Sequence, residues 1–216
     1  MDFERARHWM VEAQVRTNDV TDPAIQSAMR SLPRERFAPA ALAAMAYADM
    51  ELEVAPGRWL LRPRDHAKLI QILAPQPGQA ALEIGGATGY GAAVLASAGC
   101  KTVTLDSDPA LTQAAQAAIS HCGLQDVLAA SADLAGGYAD RAPYDLILVS
   151  GAVEFVPQAW LDQLAEGGQM AVIVRAGVAG SARLYAKANG IAAYRTLFDA
   201  APPVLPGLAK PATFTF

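Results

Sequence analysis

The chain has 216 residues, 53% of them hydrophobic and 18% charged, which supplies a full core for one α/β domain and excludes a disordered chain. Its formal net charge is −4 and it carries no long basic run, which argues against nucleic acid as the main partner. No apolar run reaches the roughly 18 residues that span a bilayer, and Met1 to Arg5 lacks the basic-then-apolar order of a secretory leader, so a cytoplasmic protein with no membrane partner is expected.

Residues 1–16 place Phe3, Ala6, Trp9, Met10 and Ala13 at spacings of three and four, one apolar face of a helix. Asp22-Pro23 pairs a capping carboxylate with proline at the first helical position, and Pro33 stops the helix that follows. Arg34 to Asp49 reads as short helix and loop, and Glu51 to Leu61 as irregular or weakly extended about a Pro56-Gly57 turn. Arg64 to Leu73 is helical with Ala67, Ile70 and Leu73 inward, its Arg62, Arg64 and Lys68 cluster reading as a solvated helix start. From Ala80 onward strands and helices alternate. Strands are expected at 80–84, 101–105, 127–130, 145–150 and 170–174, and helices at 90–98, 109–121 and 157–165. Gly123 is expected in a left-handed position after its helix, and Gly167-Gly168 is expected to stop the last one. Alternation of this kind predicts a parallel sheet with helices on both faces. Asn189-Gly190 then signals an antiparallel hairpin, and Ala212 to Phe216 alternates like an edge strand.

The stretch Ala81-Leu82-Glu83-Ile84-Gly85-Gly86-Ala87-Thr88-Gly89-Tyr90 is a strand, a glycine turn and a helix start, the front half of a nucleotide-binding βαβ unit. Gly85 can take angles closed to a side chain, Gly89 lets the helix start near a ligand, and the helix start offers N–H groups. The same pattern also serves as a tight turn that binds nothing. Asp106 ends the next strand, where a carboxylate can take two vicinal ribose hydroxyls; its alternative is to open the turn before Asp108. Asp133 could accept from an adenine amino group or be a plain loop acid. Glu83 is costly to bury unpaired, which favours a ligand-facing role. These acids suit a cationic sulfonium cofactor, and no Arg follows Asp106 to receive a 2′-phosphate. Cys100 and Cys122 read as apolar fillers, and neither they nor His8, His66 and His121 show metal spacing, so no metal is expected.

With these positions in hand, the chain resembles the protein-L-isoaspartate O-methyltransferase family along nearly its whole length. Residues 10–16, Met-Val-Glu-Ala-Gln-Val-Arg, are similar to its opening signature. Leu32-Pro33-Arg34-Glu35-Arg36-Phe37-Ala38-Pro39 resembles its VPRExFVP box and Ala46-Tyr47-Ala48-Asp49 its AYxD. Residues 82–90 resemble LEIGTGSGY with Ala87 in place of the middle glycine. Ala142-Pro143-Tyr144-Asp145 and the Gln163-Leu164 and Gly167-Gly168 pairs complete the series. The resemblance implies a Rossmann-like S-adenosylmethionine-dependent methyltransferase sheet, its parallel strands ended by an antiparallel hairpin. Residues 1–78 would be an N-terminal helical extension and substrate-side segment, and 79–216 the cofactor-binding core of one structural unit. It implies S-adenosyl-L-methionine held by Glu83, Gly85, Gly86, Ala87, Gly89, Asp106, Ser107, Ala132 and Asp133. The implied activity is methylation of the free carboxylate of isoaspartyl residues in damaged proteins and peptides.

Two boxes depart from the family. Its GQTISQP reads Gly57-Arg58-Trp59-Leu60-Leu61-Arg62-Pro63, so Leu61, with no donor or acceptor, stands at the serine beside the acceptor carboxyl. Its GDG reads Ala132-Asp133-Leu134. An isoaspartyl carboxylate is ionised at neutral pH and is its own nucleophile, so no catalytic His or Cys is needed. Alignment of oxygen and methyl alone can lower a barrier by about 7–11 kcal/mol, against roughly 1–3 kcal/mol for a lost hydroxyl contact. Trp59 and Arg62 are the substrate-side candidates to replace that contact, their alternatives being a packing indole and a solvated cation. Two further readings stay open: a diverged relative that binds the cofactor but methylates another carboxylate or is inactive on isoaspartate, and a nicotinamide oxidoreductase. Oligomeric state is not legible.

Overall fold

A computed structural model describes residues 2–211. The edge strand expected at Ala212 to Phe216 lies outside the described residues.

Helix α1 (Phe3–Met10) is capped by the Asp2 carboxylate, which accepts from Arg5 N. It runs on through a five-residue π-turn (Val11–Val15) and a 3-10 turn that Asp19 ends at φ 64°. The wide turn advances the helical phase, so Met10, Val11 and Val15 are buried. Trp9 and Ala13, expected on the apolar face, are both exposed. Helix α2 (Pro23–Ser31) starts as its sequence demands, with Asp22 accepting from Ala24 N and Ile25 N. After two 3-10 turns, the stretch expected to be irregular or weakly extended about Pro56-Gly57 takes the extended form, as an antiparallel hairpin of β1 (Leu52–Ala55) and β2 (Arg58–Leu60), with Leu52 opposite Leu60 and both buried. Gly57 turns it at φ 68°. Helix α3 (Pro63–Leu73) buries Ala67, Ile70 and Leu73.

Then follow β3 (Ala80–Ile84), α4 (Tyr90–Ser97), β4 (Lys101–Asp106), α5 (Pro109–His121), β5 (Val127–Ser131), β6 (Tyr144–Val153), α6 (Gln158–Asp162), β7 (Leu164–Ala176), β8 (Ala179–Ala188) and β9 (Ile191–Asp199). Gly123 is left-handed, as expected. Helix α6 is shorter than expected, because β7 already begins at Leu164 and takes Gly167-Gly168 into the strand. The seven strands lie in the order β5-β4-β3-β6-β7-β8-β9, parallel through β7 and antiparallel for β8 and β9. Asn189 and Gly190, at φ 53° and 74°, make the two-residue turn between the last two. Side chains alternate across the sheet. Leu146 and Leu148 of β6 face a core shared with α1 to α5, while Ile147 and Val149 face the other side with Trp160 of α6. No helix among the described residues is long and apolar enough to cross a membrane.

Candidate cofactor site

The carboxyl ends of β3, β4, β5 and β6 meet where the strand order reverses, the place where open α/β sheets hold ligands. At the end of β3, Gly85 (φ 68°) turns the chain, and Gly85 N and Gly86 N donate to Leu105 O of β4 at 2.9 and 3.1 Å. Ala87 sits at φ 50° where the resembled family has glycine, a conformation that costs about 1–2 kcal/mol for a residue with a side chain. Gly89 (φ 82°) opens α4.

Glu83 corrects the sequence reading. It does not face a ligand: it is fully buried behind the loop. It accepts from Ser150 Oγ (2.6 Å), Thr104 Oγ1 (2.8 Å) and Ala92 N (3.0 Å), so the chain's own carboxylate occupies the α4 start that sequence left open to a ligand. Burial pushes its carboxyl up to about 7 against those three hydrogen bonds. His66 Nε2 lies 3.8 Å from Glu83 Oε1; burial, then the nearby Arg34 charge, pull its imidazole down to about 3, so it is neutral.

Asp106 stands where expected, at the end of β4, but its acceptors are taken. Arg58 Nε reaches Oδ1 at 3.0 Å and Oδ2 at 3.2 Å, Ala87 N donates to Oδ2 at 3.1 Å, and Asp108 N donates to Oδ1 at 3.1 Å. Arg58 Nη2 also donates to Ser107 Oγ at 2.6 Å. No Arg follows Asp106 in sequence, but one from 48 positions before it reaches the carboxylate in the fold. Nothing in the periodicity marks Arg58; its only sequence signal was a place in the substrate box.

The second group missed in sequence comes from the segment after β9. There Ala152 N donates to Pro203 O (3.1 Å) and Leu205 N to Ala152 O (2.8 Å), which lays the tail along the end of β6. Leu205 fills the crook of the loop: a Cβ built on Gly85 would come 2.7 Å from its Cδ1, and one on Gly151 2.6 Å from its Cγ.

Ala132 N donates to Asp106 O at 3.3 Å, which brings the two strand ends together. Asp133 is exposed and caps the next turn by accepting from Gly136 N at 3.1 Å. On the substrate side, the Leu61 side chain is 1% exposed and belongs to the core, while its carbonyl accepts from buried Arg34 at 2.6 Å. Trp59 is half-buried on β2. Arg62 is half-buried and paired: it meets Glu51 at 2.7 Å and Asp65 at 3.2 Å. Cys100 is buried and its thiol is pushed up to about 11, as suits a filler. No metal-holding group of His, Cys, Asp or Glu occurs among the described residues. A cavity of about 550 Å³ opens between Ala80, Lys101, Val127 and Tyr144, the amino ends of the strands and the wrong end for a ligand of this fold.

The residue types thus suit an adenosine: left-handed glycines for close approach and a carboxylate for vicinal hydroxyls. In this arrangement Arg58 engages the carboxylate and Leu205 packs against the glycine loop.

A sequence profile described as Protein-L-isoaspartate(D-aspartate) O-methyltransferase matches residues 5–199. The protein-L-isoaspartate O-methyltransferase of Methylorubrum populi is 40% identical over 80% of this chain and 80% of its own length, and that of Methanospirillum hungatei is 34% identical over 76% of each. A solved protein-L-isoaspartate O-methyltransferase superposes with TM-score 0.81 at 24% identity, covering 95% of this chain and 67% of its own. A putative one from Plasmodium falciparum, in complex with S-adenosyl-L-homocysteine, gives 0.78 at 18%, covering 92% and 97%. At those identities the structures speak for the fold; the profile and the relatives speak for descent, and by them this chain belongs to the protein-L-isoaspartate O-methyltransferase family.

Proposed function

We propose that the chain transfers the methyl group of S-adenosyl-L-methionine to the free carboxylate of isoaspartyl residues in proteins and peptides. One observation carries this reading: the family match over residues 5–199 contains both the glycine loop and the acid one strand later, which follow the paired strands β3 and β4 at the same end of the sheet. Bound there, the cofactor supplies an electrophilic methyl group on a positive sulfur. Gly85, Gly86, Ala87 and Gly89 would let its chain approach the backbone, Asp106 and Ser107 would hold its ribose, and Ala132 and Asp133 would border its base.

The chain's remaining task is positioning. The acceptor carboxylate is ionised at neutral pH, so no side chain has to remove a proton. Arg34, through its hydrogen bonds to Ala46 O (2.7 Å) and Leu61 O (2.6 Å), holds the substrate segment in place. The test is transfer of labelled methyl to a peptide carrying isoaspartate and to its ordinary aspartyl counterpart. Label on the first alone is expected; label on neither refutes the assignment. Leu61, with its side chain turned into the core, favours one second reading, a relative that methylates a different carboxylate. It gains if other carboxylate peptides accept label while isoaspartate does not.

A further inference from the structure

We infer that Arg58 governs cofactor affinity by competing with the ribose hydroxyls for Asp106, and that the β1–β2 turn and the 200–208 tail form one connected cover which parts when adenosine enters. The inference rests on the proposed cofactor reading and adds to it a competitor within the chain.

Three contacts make the cover. Arg58, its side chain 7% exposed, engages both oxygens of an Asp106 that is itself 2% exposed. The single Arg58 Nε–H, shared between both oxygens, and two backbone N–H groups take three of the carboxylate's roughly four acceptor sites, so two ribose hydroxyls are not both accommodated while Arg58 stays. Leu205 fills the crook above Gly85 and Gly151. Between them, a Cβ on Gly57 would touch Pro206 at 3.6 Å, so the turn that carries Arg58 abuts the tail that carries Leu205. The cover therefore joins both recognition elements, and displacing either half loosens the other.

The ion pair is not explained by fold stability. A buried Arg–Asp pair recovers little beyond its desolvation cost, and apolar residues of similar volume hold such a place as well. Its location at the one acid poised for a ribose gives it a role in binding. A site whose open form is a minority binds with an affinity reduced by the open fraction, so removing the competitor tightens binding. Removal also leaves Asp106 as a buried unpaired charge, which lowers fold stability until a hydroxyl donor returns. A structural ion pair and an internal competitor thus move melting temperature the same way but affinity in opposite ways.

The probe is S-adenosylhomocysteine, titrated by calorimetry into the full chain, with melting curves recorded beside it. Arg58→Gln is expected to bind about tenfold tighter or more while melting lower, and to gain more melting temperature from the ligand than the natural chain. Arg58→Lys, which keeps the charge but not the planar fork, falls between. Leu205→Ala, made without touching the ion pair, also tightens binding. Equal or weaker binding in Arg58→Gln and Leu205→Ala, with the natural chain binding well, overturns the competitor and leaves the cofactor site standing. Absence of binding in the natural chain and every folded variant overturns both. Unchanged affinity in Leu205→Ala alone overturns the joined cover. Should Arg58→Gln not fold, Arg58→Lys and Leu205→Ala decide by the same criteria.

Discussion

Substituting Glu83 by Gln changes how stability depends on pH, by an amount the structure sets. Burial raises the folded carboxyl from 4.5 to about 7, although Ser150, Thr104 and Ala92 N all donate to it. Between those two values the folded chain keeps a proton that the unfolded chain has released. Its contribution is therefore whole below about pH 4.5, declines as pH rises, and is gone above about pH 7. At about 1.4 kcal/mol per pH unit, that rise from 4.5 to about 7 amounts to about 3 kcal/mol. His66 acts in the opposite sense. Its folded value of about 3 lies below the free 6.5, so its contribution is whole above 6.5 and is lost as pH falls. The contributions of these two groups should thus nearly cancel between about pH 4.5 and 6.5, where their slopes oppose. The Glu83→Gln substitution removes one slope and leaves the rise due to His66 bare. The amide it introduces also brings a donor toward groups that donate to the carboxylate, a penalty that does not vary with pH. Urea unfolding of both proteins at pH 5, 6, 7 and 8 measures this. The advantage of the natural chain over Glu83→Gln should shrink by about 2–3 kcal/mol from pH 5 to 8. A difference constant across those four values refutes the buried, proton-holding carboxyl.

Two further substitutions test the packing around the site. Leu61→Ser restores the family's residue type yet exchanges a core side chain, 1% exposed, for a hydroxyl, and should lower unfolding free energy by about 2–4 kcal/mol; a melting temperature matching the natural chain's would contradict its placement. Gly86→Ala would drive a methyl group onto Thr104 Oγ1 and Glu83 Oε2, which are hydrogen-bonded to each other and cannot yield cheaply. A loss of about 1–3 kcal/mol in denaturant unfolding is expected, and an unchanged midpoint would refute the close approach.

What sequence reading reached was mostly chemistry between near neighbours. Asp22-Pro23 and Asp108-Pro109 announce helices because cap and proline act within one turn, and both helices start there. Asn189-Gly190 specifies its turn by backbone angles alone. The glycine loop and Asp106 were legible because strand, turn and next strand follow in order. Glu83 was misread because β3 is buried on both faces, so alternation does not reveal which side is ligand and which is core. The hairpin at the substrate box was legible only as a Pro56-Gly57 turn with irregular or weakly extended flanks, because its strands span four and three residues, too short to show a period. Arg58 against Asp106, and Leu205 over Gly85, join residues that nothing local connects; only the folded chain brings them together.

The guanidinium of Arg34 lies 4.5 Å from the centre of the Tyr90 ring, and Thr88 Oγ1 donates to Phe37 O at 2.6 Å. The first seventy-odd residues are thus bolted to the loop and helix that begin the other part of the chain. A fragment starting at residue 79 would turn the apolar flank of α4 to water and lose its partner for Thr88. Expressed alone it should clump rather than fold, because residues before and after position 78 share one core and must be made together.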